Sequence, residues 1–476
     1  MLQNCHIYYI LFLHLTQSIM ASFPSHIFKA YDIRGIYPKE LNEELIYKIG
    51  RACGVLRQEE LGLDKKITIV VGHDMRLSSP TLFEELKRGL LEQGINVVDI
   101  GLTSTPTYYF AVANYGYNGG MLVSASHNPK EYNGIKIVRE RATPVGSGTG
   151  MEKLRDLVEK GEFAYNGAKG VEVSKNGVLE AEVEIAKKYA DLQKIRPMKV
   201  VFDTANSMGI LFLNELFRYL PQVEVVRLND KLDGTFPAHQ ADPLQDNTLG
   251  GLREVVVKEK ADLGIATDGD GDRIFFIDNS GKRIKPEIMR GILARTFLKD
   301  NPGATICFDI RPGKITEDMI LEAGGKPSVT RVGHSLIKKQ MIETGAVFGG
   351  ESSGHFFVKF PDGVYESPMI ACLRFLQVLS ESGLSASDFI KPLDRYFHSG
   401  EINFEVEDKV GTLAKLKEKY SDAKISDLDG LTFTYSDFWF NVRPSNTESL
   451  LRLNLEAIDE QLMREKLIEI KKIINN

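Results

Sequence analysis

The chain has 476 residues, 43% of them hydrophobic and 26% charged, with a formal net charge of -6. That balance speaks against a disordered or membrane class and against a general nucleic-acid binder, whereas a small phosphorylated ligand needs only local cations and stays open. The length predicts three or four units at roughly 150 residues each, and Cys5, Cys53, Cys307 and Cys372 are scattered without a C-x-x-C pair, as free thiols of a reducing compartment would be.

Near the amino end, Ile7 to Leu15 form an apolar run with the length of a signal-peptide core. It is too short to span a bilayer and lacks a basic flank, because the first Lys or Arg is Lys29. Residues 1–22 therefore read as a leader outside the fold or an over-extended start. Next comes an internal repeat. ITIVVGHDMR, MKVVFDTANS and ATICFDIRPG each run as an apolar or β-branched strand into an aspartate, Asp74, Asp203 and Asp309, then a polar turn and a helical pattern. Downstream of each, a second apolar strand stops abruptly in a glycine-rich polar loop, in MLVSASHNP, LGIATDGDGDR and AVFGGESSGH.

Helical stretches such as Pro80 to Gln93 and Asn247 to Lys260 between these strands predict three similar α/β units with mixed, largely parallel sheets. They are expected over residues 23–174, 175–281 and 282–394, with their strand-end loops lining one cleft. From residue 395 to 476 the texture changes to short alternating strands, INFEVE, FWFNVR and LLRLNLEA, and a helical tail from Asp459, which predicts a smaller α+β domain.

Four loops carry candidate chemistry. SASHNPKEYNGIK sets Ser126 beside His127 and adds Lys136 ten residues beyond the serine, a usable nucleophile with cations, or else a capped turn. TDGDGDR packs Asp268, Asp270 and Asp272 between glycines that let the backbone curl the carboxylates together. Oxygen-only ligands facing a phosphate suit magnesium. An EF-hand is ruled out, because Arg273 stands at its glycine position and Asn279 at its glutamate position. A splayed, solvated acidic turn stays open.

GGESSGH matches the G-x-S-x-G nucleophile elbow at Ser352, but that elbow needs a helix next and HFFVKFPDG reads as a strand. Glu351, Ser353 and His355 instead alternate, a pattern fit to hold sugar hydroxyls or simply to make a glycine turn. RPSNTE offers Arg443, Ser445, Asn446 and Thr447 on one tight turn, suited to a phosphate or to an ordinary loop. No Walker loop or dinucleotide fingerprint occurs.

Taken together, FKAYDIRG, SASHNP with NGIK, DGDGDR, GESSGH and RPSNTE resemble, in order from Phe28 onward, the α-D-phosphohexomutase superfamily, and most closely its bacterial phosphomannomutase/phosphoglucomutase branch. The resemblance implies a phosphoserine at Ser126 and magnesium held by its phosphate with Asp268, Asp270 and Asp272. It sets Arg34, His127, Lys136 and Arg273 around the transferred phosphoryl group, with His127, Lys136 and His355 as the candidates for proton transfer or for transition-state charge. Tyr31, Arg331 and His334 would bind the substrate, Glu351, Ser353 and His355 the sugar hydroxyls, and Arg443, Ser445, Asn446 and Thr447 the phosphate that does not react.

The implied activity interconverts hexose 1-phosphate and 6-phosphate, of mannose, glucose or both, through a hexose 1,6-bisphosphate. The implied protein is a cytoplasmic monomer or small homo-oligomer acting on small hexose phosphates, without nucleic acid or membrane. Phosphoglucosamine mutases usually read FGTDGIRG and SGTE where this chain has FKAYDIRG and SNTE. Ser352 stands at a position that varies between branches. A phosphatase with Asp268 as nucleophile and a silent sugar-phosphate binder are the rival readings.

Overall fold

A computed structural model describes residues 23–311, 313–444 and 450–475. The expected leader over residues 1–22 and the loop residues Ser445, Asn446 and Thr447 lie outside the described residues.

The first unit is built on β1 (Ile33–Ile36), β2 (Thr68–His73), β3 (Asn96–Leu102), β4 (Gly119–Val123), β5 (Tyr132–Arg139) and β6 (Glu172–Ser174), in the order β1-β5-β4-β2-β3-β6. The second has β7 (Met198–Asp203), β8 (Val223–Leu228), β9 (Leu263–Thr267) and β10 (Ile274–Asp278), in the order β10-β9-β7-β8. In the third, β11 (Thr305–Asp309), β12 (Lys326–Thr330), β13 (Phe348–Gly350), β14 (Phe356–Phe360) and β15 (Gly363–Glu366) follow β12-β11-β13-β14-β15.

The predicted repeat is thus a repeated topology. In every unit a strand ending near the noted aspartate pairs in parallel with the motif strand, which then turns through its polar loop into an antiparallel partner: β2, β4, β5; then β7, β9, β10; then β11, β13, β14. The antiparallel return makes each sheet mixed. β4, β9 and β10 are buried on both faces, which is why they read as unbroken apolar runs rather than alternations. The helix expected from Pro80 runs over Ser79–Glu92. The stretch expected as one helix from Asn247 is a 3-10 turn, Asp246–Leu249, followed by a helix over Gly250–Lys258, with the break falling at Gly250 and Gly251.

One hydrophobic core runs through the first three units, from Tyr108 and Phe110 through Phe202 and Phe212 to Phe297, Phe348 and Phe375. It sets the three motif loops at one place. The fourth unit is an antiparallel sheet of β16 (Phe397–His398), β17 (Ile402–Glu405), β18 (Lys424–Ser426), β19 (Leu431–Thr434), β20 (Phe438–Pro444) and β21 (Leu450–Ala457). Helices over Lys409–Lys419 and Glu460–Ile474 complete it, their first turns capped by Asp408 and Asp459. Its core of Phe404, Tyr420, Phe433, Phe440, Leu453 and Ile470 is separate from the shared one.

No helix among the described residues is long and apolar enough to cross a membrane. Cys53, Cys307 and Cys372 are free and buried.

Because the fourth unit packs on its own core, a cavity there should act locally. Phe440 is fully buried and stacks on Phe433 at 4.6 Å. Phe440→Ala is expected to cost about 3–5 kcal/mol and, in scanning calorimetry, to lower a separate transition of the fourth unit. A single unfolding transition that shifts as a whole would contradict the separate core.

Candidate active site

The first unit's loop leaves β4 at Val123 and returns in β5. Ser126 N–H donates to Ser124 Oγ at 3.1 Å, and Ser126 sits at φ +49°, a left-handed conformation unusual for serine. Arg76 braces this loop. Its buried guanidinium donates to the carbonyls of Ser126 (2.8 Å), Asn128 (2.6 Å), Pro129 (2.7 Å) and Tyr132 (3.0 Å). From the strand beside it, Arg34 donates to Asp32 at 2.9 Å and to Asn128 Oδ1.

The second unit's aspartate loop meets this one face to face. A Cβ on Gly269 would lie 2.2 Å from the Ser126 carbonyl oxygen, so the approach requires glycine there. Ser126 Oγ donates to Asp268 Oδ2 at 2.9 Å, with His127 Nδ1 3.2 Å from the same hydroxyl. Lys136 Nζ bridges Asp270 (2.5 Å) and Asp272 (2.6 Å). Thr105, at the start of the helix over Thr105–Asn114, donates from its N–H to the Asp270 carbonyl at 3.0 Å and from its hydroxyl to Asp270 Oδ2 at 2.5 Å.

The three aspartates are buried, and ligand atoms from all three lie within 4.8 Å of one another. Carboxylates ~4 Å apart repel by roughly 4 kcal/mol at an effective dielectric near 20. Burial, then Asp272 and Asp270, push Asp268 well above the usual carboxylate range. Burial acts the same way on Asp272, but Lys136, His355 and Arg273 outweigh it and hold that group well below the range. Asp270 Oδ1 is buried without a hydrogen-bond partner among the described residues. A dry, oxygen-only donor set with an unpartnered carboxylate oxygen fits a hard divalent cation.

The third unit closes the site from the other side. Arg273 and His355 pair backbone to backbone, and Ile274 N–H donates to the Gly354 carbonyl at 3.1 Å. His355 Nε2 donates to Asp272 at 3.1 Å and Nδ1 to Glu351 at 3.0 Å. Burial opposes the charge on this ring, yet Asp272 and Glu351 carry it up to about 9. Glu351 is drawn down to about 2 against its own burial, mainly by His355. Its other oxygen accepts from Gly333 N–H at 3.0 Å, next to His334. Tyr31 packs edge-on against His334, with ring centres 5.2 Å apart, and His334 lies 6.1 Å from His355. Burial and then Glu351 push the Tyr31 hydroxyl up, with Arg331 and Arg443 opposing them.

Of the residues singled out from the sequence, Ser126, His127, Arg34, Lys136, Asp268, Asp270, Asp272, Arg273 and His355 therefore form one contiguous cluster. Tyr31, His334, Glu351 and Ser353 adjoin it. Arg331 is exposed beside them, and Arg443, on the fourth unit, donates to Glu401 at 2.9 Å. Ser352 does not sit on a nucleophile elbow, because the strand β14 follows it where the elbow needs a helix, as the strand-like sequence predicted; its hydroxyl donates to Asp309 at 3.1 Å. Arg76 and Thr105 went unseen in the sequence. Arg76 had one available signal, the Asp-x-Arg spacing that Asp74 and Asp309 share. Thr105 had only its place after an N-cap serine, Ser104, which marks a helix start but not its neighbour in another unit.

Four family models match the chain in order: phosphoglucomutase/phosphomannomutase alpha/beta/alpha domain I over residues 25–165, domain II over 180–281, domain III over 285–396 and the C-terminal domain over 401–471. A phosphomannomutase of Methanocaldococcus jannaschii is 39% identical over 457 residues, covering 94% of this chain and 97% of that protein. One of Vibrio cholerae serotype O1 is 38% identical over 462 residues, covering 94% and 98%. Among solved structures, a phosphoglucomutase/phosphomannomutase family protein from Burkholderia thailandensis superposes with a TM-score of 0.86 at 30% identity, covering 94% of this chain and 97% of that one.

Removal of the Arg76 brace should loosen the serine loop. Arg76→Met leaves four carbonyls without their donor, and amide exchange across Ser126–Tyr132 is expected to rise about tenfold or more, with a stability loss of about 2–4 kcal/mol. Wild-type exchange rates in that loop would show that it holds its shape without the guanidinium.

Proposed function

The chain belongs to the phosphoglucomutase/phosphomannomutase family and is a phosphohexomutase, and from that premise we propose that Ser126 is its phosphoryl carrier and that Asp268, Asp270 and Asp272 hold magnesium beside it. The observation that carries this reading is the 2.9 Å contact between Ser126 Oγ and Asp268, made between two units at the edge of a carboxylate triad. A phosphate on Ser126 would complete the oxygen donor set. Bound there, magnesium supplies positive charge that offsets the phosphoserine's charge of about -1.5 to -2.

In the first half-reaction a hydroxyl of the sugar phosphate attacks the phosphorus on Ser126. The bond from phosphorus to Ser126 Oγ breaks as the bond to the sugar oxygen forms, and the hydroxyl proton passes to a base. His127, Lys136 and His355 stand around this space. Lys136 and His355 are held as cations by the aspartates, whereas burial, with Arg273 and Arg34, keeps His127 neutral. The product of this step, a hexose 1,6-bisphosphate, turns over and returns its other phosphoryl group to Ser126 Oγ.

Both orientations need a grip on the phosphate that is not reacting, which is the role of Arg443 with Ser445, Asn446 and Thr447. Tyr31, Arg331, His334, Glu351 and Ser353 would bind the sugar. Mannose and glucose phosphates are the substrates proposed. The buried thiols Cys53, Cys307 and Cys372 suit a reducing cytoplasm.

Ser126→Ala is expected to lower mutase turnover at least ~1000-fold with the fold retained, measured in a coupled assay with mannose 1-phosphate and glucose 1-phosphate plus a trace of bisphosphate. Normal turnover by this variant would reject the serine. Phosphate mapped to Asp268 with none on Ser126 would favour an aspartyl phosphatase instead. Asp270→Asn should raise the magnesium concentration for half-maximal activity roughly tenfold or more, and an unchanged metal titration would count against the ligand set.

A further inference from the structure

Between β8 and the 3-10 turn at Asp246, the second unit sends out residues 229–245 without a helix or strand. A stretch of that length inside a compact α/β unit usually has a task. Its middle portion, Asp233 to Asp242, reaches the first unit at the Met75–Leu77 turn after β2 and at the serine loop. At Gly234 a Cβ would come within 2.6 Å of the Met75 carbonyl and 2.7 Å of Leu77 N, so the two backbones are in direct contact. Phe236, held at φ +49°, places its ring 5.0 Å from the guanidinium carbon of Arg76, the residue that braces the carbonyls of Ser126 through Tyr132. Gln240 Nε2 donates to the His127 carbonyl at 2.9 Å.

The far end of this segment is tied to the second unit's own sheet and site. His239 Nε2 meets Asp203 Oδ2, at the end of β7, at 3.1 Å, and its Nδ1 meets the Gln240 carbonyl at 2.9 Å. Asp203 in turn accepts from Ala205 N–H at 3.0 Å and from Asn229 at 2.9 Å. Asp242 lies 3.6 Å from Arg273, which follows the aspartate loop. The chain of contacts therefore runs from β7 through His239 and Gln240 to the backbone of the residue after Ser126.

Resting on the assignment of Ser126 as phosphoryl carrier, we propose that Asp233–Asp242 is a clasp that sets the serine loop against the aspartate loop, with Gln240 and Phe236 as positioning residues. Neither side chain touches the reacting atoms. Gln240 acts through the His127 backbone and Phe236 through Arg76. Phosphoryl transfer between Ser126 Oγ and a sugar oxygen, at a site assembled from loops of two units, depends on their separation to a fraction of an ångström, so release of the clasp lowers turnover more than substrate binding.

Three variants test it. Gln240→Met keeps the side-chain length but removes the donor, Gln240→His supplies a ring N–H of similar reach, and Phe236→Leu keeps an apolar contact without the ring face. For Gln240→Met, kcat is expected to fall about tenfold with KM within about twofold of wild type. Gln240→His should recover to within about threefold, and Phe236→Leu should lose kcat in the same sense. Before assay, each protein is incubated with glucose 1,6-bisphosphate and its phosphate located by mass. A wild-type chain that takes no phosphate on Ser126 overturns the carrier assignment and the clasp with it. A phosphorylated wild type with unimpaired Gln240→Met, or with Gln240→His as impaired as Gln240→Met, overturns the clasp alone.

Discussion

Mutual repulsion among three buried carboxylates is the constraint on which this site is built. Asp268, Asp270 and Asp272 sit in one glycine-spaced turn, out of water and close enough to raise one another's energy. A low-dielectric pocket tolerates that only if cations come to it, and the aspartate loop itself contributes just Arg273. The rest arrive from elsewhere: Lys136 from the first unit and His355 from the third. Each cation is a tie between units as well as a charge, so the electrostatics of the triad explain why a single site draws on three parts of the chain.

Those ties act on a scaffold with further contacts between units. The first three units share one core, the loops of the second and third pair through their backbones at Arg273 and His355, and Glu351 reaches back to Gly333 N–H. The serine loop and the aspartate loop are therefore held against each other by contacts from all three units. The fourth unit differs in having its own core. It meets the third unit where Asp429 accepts from Val332 N–H at 3.3 Å, and brings the Arg443 charge near Tyr31.

The internal repeat has a physical consequence beyond ancestry. Because the units share a four-strand order, β5-β4-β2-β3, β10-β9-β7-β8 and β14-β13-β11-β12, each projects its polar loop from the same place, between the motif strand and its antiparallel return. The strand-end aspartates of the repeat brace this geometry. Asp74 accepts from Arg76 N–H and from Ser79, Asp203 from Ala205 N–H and His239, and Asp309 from Ser352, each holding the turn next to a functional loop. One backbone plan thus carries the Ser126 loop, the aspartate triad and the Glu351–His355 loop by change of loop residues alone.

Much of this was written in short stretches of sequence. The polar loops bearing the serine, the aspartates and Glu351–His355, and the three α/β units, follow from local composition, since glycine spacing, turn residues and apolar runs act over a few residues. The rejection of Ser352 as a nucleophile also followed locally, from the strand after it. Arg76, Thr105 and the clasp around Gln240 could not be read that way. Their partners are backbone carbonyls and a carboxylate 50 to 165 positions away in the chain, and a backbone group has no identity in sequence. The sequence by itself determined which chemical groups each loop presents. Only the tertiary structure decided which loops face one another and what holds them there, because those contacts depend on how the units pack and not on the order of their residues.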